Sequence, residues 1–398
     1  MSRIDELTQE LCPQGVEYEE ISKLIVRSEK MRWDDFDQTD EFRYIDLGTV
    51  DRVTHSIGDT ETITKEKAPS RAQQVVREGD VLFGTTRPML KRYCVVPSDY
   101  NGQVASTGFC VLRVNPERIL TNYLFHLLGT AKFYDYIEAN ERGASYPAIP
   151  DNVVKKFRIP VPPLEVQHEI VQVLDKFTQL EAELEAELEA RRAQYDYYFR
   201  GLLSFGAGDA QELTLGDIGR VAMCKRVFKS DTSDSGDVPF FKIGTFGGQP
   251  NAFISRELFD SYRERFSFPN RGDILISAAG TIGRTLVYDG QPAYFQDSNI
   301  VWLEHDESIV KNAYLKHWYK VIEWTTDGGT IRRLYNSNLL RARILVPPPE
   351  VQDRIATMLD TFDGLVNDIS IGLPAELSAR RKQYEYYRDR LLTFQEAV

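Results

Sequence analysis

From Val166 onward, apolar residues return at every third or fourth position: Val166, Ile170, Val173, Phe177, Leu180, Leu184, Leu188, then Tyr195, Tyr198 and Leu202. A second series runs through Val351, Ile355, Met358, Phe362, Leu365, Ile369, Leu373, Leu377, Tyr384, Tyr387 and Leu391. Alternating steps of three and four make the seam of a coiled coil. Prolines at Pro162–Pro163 and Pro347–Pro349 set an extended lead-in to each helix. Between the seam leucines, "EAELEAELEA" holds strong helix formers with little other apolar content, so an isolated helix would be poorly stable. Forty helical residues make a rod of roughly 60 Å. Two matching seams in one chain predict that the helices pair with each other. An approximate twofold relation would make the pairing antiparallel and put the globular blocks at opposite ends. The plainer alternative packs each helix on its own block.

The seams belong to a longer repeat. "RIPVPPLEVQHEIVQVLDKF" (158–177) matches "RILVPPPEVQDRIATMLDTF" (343–362) at 12 of 20 positions. "ARRAQYDYYFRGLLSF" (190–205) matches "ARRKQYEYYRDRLLTF" (379–394) at 10 of 16. Fainter echoes pair "YIDLGTV" (44–50) with "FFKIGTF" (240–246), and "REGDVLF" (77–83) with "NRGDILI" (270–276). The chain is therefore a tandem duplication. The offset between copies is 185 in the first match and 189 in the second, so the second copy holds four extra residues near "SIGLPAEL". Gly372 and Pro374 there should weaken or kink the helix.

Outside the helices the patterning is mixed. "GDVLFGTTRPMLKRYCVV" and "GDILISAAGTIGRTLVY" each predict a strand, a polar loop and a second strand. "TNYLFHLLGTAKFYDYIEANERG" and "NAYLKHWYKVIEWTTDGG" predict helices ending at glycine. The expected fold class is α+β, two mixed α/β domains at 1–157 and 206–342. Each is followed by a conserved long helix, at 158–205 and 343–398, and the pair is related by a pseudo-twofold.

Composition narrows the function classes. With 398 residues, 42% hydrophobic and 27% charged, the chain is that of an ordinary globular protein of more than one domain. No apolar run approaches the roughly 20 residues that span a bilayer, and the first residues do not resemble a signal peptide, which predicts a cytoplasmic protein without a membrane partner. The four cysteines form no CxxC pair and the five histidines have no metal-ligand spacing, so free thiols and no metal are expected. The net charge of −12 argues at first against a nucleic-acid partner. Its distribution weakens that objection, because residues 206–342 hold 16 basic and 17 acidic side chains, while 158–205 and 343–398 together hold 12 basic against 18 acidic.

The duplicated "IPVPPLEVQHEIVQVLDKF" and "ILVPPPEVQDRIATMLDTF", the "LPAELSARRKQYEYYRDRLLTF" segment and the paired "GDVLF" and "GDILIS...GTIG" resemble the specificity subunit of type I restriction-modification systems. The resemblance covers essentially the whole chain. It implies that each variable block is a target recognition domain reading one half of a bipartite double-stranded DNA target. The helices would hold the two blocks at a set separation and dock two adenine-methylating modification subunits, with two restriction subunits in the full complex. S-adenosylmethionine, ATP and magnesium would belong to those partners. Candidate docking residues are the repeated Arg191, Arg192, Tyr195, Tyr197 and Tyr198, with Arg380, Arg381, Tyr384, Tyr386 and Tyr387, since Tyr and Arg are enriched at interfaces. Candidate DNA contacts in the first block are Thr85, Thr86, Arg87, Lys91, Arg92, Arg142 and Tyr146. In the second they are Lys225, Lys242, Thr281, Arg284, Arg332 and Arg333. Arg and Lys can bond guanine edges, whereas phosphate contacts position without reading.

No phosphate-binding loop, dinucleotide fingerprint, methyltransferase Asn/Asp-Pro-Pro-Tyr motif or nuclease carboxylate cluster is present in the sequence. "SAAGTIG" lacks the lysine and following hydroxyl of a nucleotide loop and is better explained as a turn between strands. Catalytic residues are therefore none. The competing classes are a coiled-coil adaptor without a DNA role and, behind it, a self-sufficient methyltransferase.

Overall fold

A computed structural model of the chain describes residues 3–206, 208–326, 332–368 and 370–397. The chain divides into two compact units, Met1–Glu187 with Pro374–Val398, and Leu188–Leu373.

The globular parts repeat one plan. In the first unit a four-stranded antiparallel sheet runs in the order Ile25–Val26, Phe109–Val114, Val81–Gly84, Tyr93–Val95. In the second the order is Gly219–Ala222, Ile300–His305, Ile274–Ser277, Thr285–Val287. The predicted strand-loop-strand pairs are thus the third and fourth strands of each sheet. A second sheet has five strands in the first unit and three in the second. Both contain a parallel pair, Phe42–Ile45 with Val104–Ser106 and Val238–Phe241 with Tyr294–Phe295. A short antiparallel ribbon ties the start of each copy to the proline lead, Tyr18–Glu20 to Arg158–Pro160 and Gln211–Thr214 to Arg343–Val346.

The first predicted helix of the globular parts is two, Thr121–Leu127 and Ala131–Asn140. Thr130 begins the second by accepting a hydrogen bond from the Phe133 amide, and the helix stops before Gly143. Its counterpart spans Asn312–Val321; the Asp327–Gly329 end of that expectation lies outside the described residues.

The central helix is Leu164–Leu202. The second copy is broken at the site flagged by Gly372 and Pro374, into a penultimate helix, Pro349–Asn367, and a final helix, Leu373–Leu391. Within the first unit the final helix lies antiparallel to the first part of the central helix. Tyr387 stacks on Phe177 with centroids 5.5 Å apart, and Arg381 reaches Glu181 (2.6 Å) and Glu185. Within the second unit the end of the central helix meets the penultimate helix in the same way, with Tyr198 stacked on Phe362 at 5.7 Å and the Tyr195 hydroxyl 3.4 Å from Asp363. Each unit is thus completed by a helical segment contributed by the other copy of the repeat.

The buried positions correct the predicted seam. Val166, Ile170 and Leu174 are fully buried, as are Leu359 and Val366 with Ile355 nearly so. Val173, Leu180, Met358 and Leu365 are exposed, and Ile369 lies outside the described residues. In the first unit the helix packs its i, i+4 row onto the globular core, joining Ile159, Tyr123, Leu124 and Phe133. That face is broader than a two-helix seam, and packing against it outweighs the three-four alternation.

Candidate nucleic-acid interface

The helices are locked to the globular parts by the same contacts in both copies. Gln167 is fully buried; its Oε1 accepts from the Leu120 amide at 2.9 Å and its Nε2 donates to the Arg118 and Pro162 carbonyls at 3.0 and 2.8 Å. Gln352 does the same with the Lys311 amide (2.9 Å) and the Ile309 and Pro347 carbonyls (2.9 and 2.8 Å). His126 and His317, both buried, each place Nε2 2.8 Å from a carboxylate, Asp175 and Asp360. Burial pushes His126 below its ordinary value and His317 down to about 4. Tyr123 and Tyr314 donate to the Pro160 and Leu345 carbonyls. These side chains spend their polar groups on holding the frame.

On that frame sit two hairpin loops in matching surroundings. Leu82 faces Cys94 and Phe83 faces Tyr93; Leu275 faces Leu286 and Ile276 faces Thr285. Gly84 bonds the Arg92 carbonyl as Ser277 bonds that of Arg284. Thr86 bridges to Ala148 as Ala279 bridges to Arg333, and the following amides, Ile149 and Leu334, bond the carbonyls of Thr85 and Ala278. This register makes Arg87 the counterpart of Gly280, Lys91 that of Gly283 and Arg92 that of Arg284. All four residues at the first two positions are left-handed, with φ of 50° for Arg87, 67° for Gly280, 56° for Lys91 and 80° for Gly283. Glycine adopts that backbone freely, whereas another residue loses about 1–2 kcal/mol.

The candidate residues divide by what their side chains already hold. Thr85 is buried with its hydroxyl on the Gly108 carbonyl at 2.9 Å, and Thr86 belongs to the bridge with Ala148. Arg92 donates to the Leu47 carbonyl. Lys91 lies 4.7 Å from the Tyr134 ring and lines a cavity of about 450 Å³ with His55, Tyr93 and Arg388. Burial beneath this cavity lowers His55 to about 4. Arg87 is exposed with its guanidinium 4.3 Å over Tyr146, which is 70% exposed, and Arg142 is exposed beside them on the strand bridged to Ala148. The first block therefore brings Arg87, Arg142 and Tyr146 together and turns Thr85 and Arg92 to internal contacts, while Lys91 stays exposed beside Tyr134.

In the second block Arg333 is half-buried and bonds the Ser298 carbonyl and hydroxyl, at 3.1 and 2.9 Å, and Asn299. Arg332 beside it is exposed. Arg284 is exposed over Phe246 at 5.5 Å, and Thr281 is exposed at the same loop tip. Lys225 lies over Phe266 at 5.1 Å; Lys242 is half-buried in the turn closed by Thr245. Arg263 and Arg271 stand outside the sequence candidates. They line a cavity of about 400 Å³ with Phe266, Phe268 and Tyr288, and among the described residues neither has a carboxylate within ion-pair distance. The signal for them is the basic "SYRERFSFPNRGD" run before the glycine turn.

The tyrosine triplets sort by environment. Tyr384 bonds His126 Nδ1 at 2.8 Å, and Tyr195 is buried beside Phe199. Tyr198 and Tyr387 stack on the paired helix. Tyr197 and Tyr386 are left 76% and 60% exposed. Arg381 is held by Glu181 and Glu185, Arg380 reaches Glu376, Arg191 bonds Gln194, and Arg192 is exposed. Equivalent outward sets result: Val173, Leu180 and Tyr386 in the first unit, Met358, Leu365 and Tyr197 in the second.

Residues 17–190 and again 208–379 match the model of the type I restriction modification DNA specificity domain. The chain belongs to that family. It is 46% identical over 287 residues to a Haemophilus influenzae protein assigned as a type I restriction enzyme specificity subunit, covering 70% of this chain and 73% of that one. It is 32% identical over 266 residues to the specificity subunit of the Escherichia coli EcoR124I/EcoR124II type I restriction enzyme, covering 60% and 63%. A chain from a solved type I R-M system superposes with a TM-score of 0.66 at 25% identity, over 96% of this chain and 98% of that one. The family's specificity subunits have a non-catalytic role. Among the described residues of this family member, no group of His, Cys, Asp and Glu could hold a metal ion, and no helix is long and apolar enough to cross a membrane.

Proposed function

We propose that this specificity subunit is a DNA-reading scaffold whose two globular domains, 1–157 and 206–342, each read one half of a bipartite double-stranded target. The helical segments, 158–205 and 343–398, set the spacing and dock two modification subunits. Two restriction subunits complete the assembly, and S-adenosylmethionine, ATP and magnesium act in the partners. The complex works in the cytoplasm, where its DNA is.

The observation that carries this reading is the pair of hairpin loops held by the same hydrogen bonds but bearing different residues. A shared frame with divergent tips is what two readers of different sequences require. The outward sets on the helices support docking of two copies of one partner, because equivalent surfaces recur in the two units, each with two exposed aliphatic side chains and a tyrosine.

Exchanging residues 206–342 for the corresponding block of a relative tests the division of labour. Methylation mapping in cells carrying the hybrid with its modification subunits is expected to show one half of the target changed and the other kept. A hybrid that changes both halves would refute independent reading, and a parent complex without sequence-selective methylation would favour the adaptor.

A further inference from the structure

We infer that Arg87 is a base-reading residue of the first domain, taking a guanine through its O6 and N7, with Tyr146 as the platform that aims it. This rests on the DNA-specificity reading above. The two hairpins require a left-handed residue at the same place, and one copy meets that need with Gly280. The other copy keeps a long cationic side chain there in spite of the strain. An outlier of this kind persists where the side chain is used.

Lys91, the second strained cation of the loop, is exposed too, with its ammonium 4.7 Å over the Tyr134 ring at the edge of the cavity. Arg87 differs in carrying a planar fork rather than a point charge. Its amide is fixed to the Pro147 carbonyl at 2.7 Å and the next residue, Pro88, is buried, so the backbone that carries it is anchored. Its guanidinium rests on the exposed Tyr146 ring at 4.3 Å, and among the described residues that guanidinium makes no ion pair or hydrogen bond. Stacking holds the plane while leaving the edge donors unspent. A planar, oriented fork with free donors is the group that pairs bidentately with guanine in the major groove. A phosphate also accepts that fork, and only a base contact makes the loss depend on sequence at one position.

The test uses the full chain with its modification subunits, selecting from a pool of randomised duplexes. Arg87→Gly removes the side chain and suits the backbone, so thermal stability should be kept or raised. The preference for guanine at one position of one half should fall roughly 5- to 150-fold, with every other position unchanged. Arg87→Gln, which keeps a polar side chain without the cationic fork, should lose the same preference. A Gly variant whose base preferences match the parent overturns the inference, as does uniform weakening that Arg87→Lys restores, since that marks a phosphate contact. If the Gly variant fails to fold, Arg87→Gln decides the question: loss of the guanine preference supports base reading, and its retention overturns it. Failure of the parent complex to select any sequence would instead sink the specificity reading itself.

Discussion

At the scale of single residues, His317 has the clearest consequence. It is fully buried, with Nε2 on Asp360, the ring edge-on to Phe199 at 6.1 Å, Lys316 paired with the same Asp360 oxygen and Lys320 paired with Asp363. Burial lowers it from its ordinary 6.5 to about 4 against the opposing pull of Asp360. The unfolded chain takes up a proton near pH 6.5 and the folded chain only near 4, so between those values the unfolded state binds more protons. Stability is therefore full above pH 6.5 and is lost as pH falls toward 4, by about 2 kcal/mol at pH 5 from this group. Urea unfolding of the second unit followed by its tryptophans at pH 7.5 and 5 should show that loss, and His317→Gln should shrink it; an equal loss in the variant would assign the effect elsewhere. Much at this scale was not legible in the sequence. Gln167 and Gln352 stand at matching repeat positions, yet nothing local says that each closes three buried hydrogen bonds. Arg87, Lys91 and Arg92 read alike as loop cations, and only the structure shows that the first two are exposed while Arg92 is spent on the Leu47 carbonyl.

Between residue and chain, the helices were legible as elements and misread in part as surfaces. The repeated period, the proline leads and the Gly372–Pro374 break were all written in local sequence. Gly372 sits where a Cβ would come within 2.4 Å of the Gly364 carbonyl, which is why the chain can turn there. The side that is buried was not legible, because a three-four stripe cannot distinguish a helix partner from a globular core. The stripe puts Val173 and Met358 inside, but they lie outside; Leu174 and Leu359 take the core. The end of the final helix makes the same point, since Leu392, just past its last residue, is buried and Leu391 only half-buried, both on the core built by Tyr123, Leu124 and Phe133. Leu392→Ala should therefore cost about 2–5 kcal/mol in urea unfolding of the first unit. Tyr386→Ala, one turn and a half earlier on the open face, should stay within about 0.5 kcal/mol. Equal effects would mean that the final helix does not complete that core.

Over the whole chain, the duplication was legible because helix contacts constrain many positions at once, while the hairpin loops diverge and keep only their frame. The faint "GDVLF" and "GDILI" echoes are that frame, the strand leading into each loop. The change of offset from 185 to 189 has a structural counterpart too: the four added residues fall near the point where the penultimate helix ends at Asn367 and the final helix begins at Leu373, while the central helix runs unbroken through its matching positions near Glu183. If the proposed ruler is right, length added at these two places lengthens the unread gap. Four helix-forming residues inserted after Glu183 and four more in the 368–372 connection add about 6 Å of rise, or about two base pairs at 3.4 Å each. Methylation mapping should then show both half-sequences intact and the spacing between them longer by about two. Retention of the parental gap by a complex that still methylates would mean that the helices hold the readers without measuring the distance between them, leaving the modification subunits to set it.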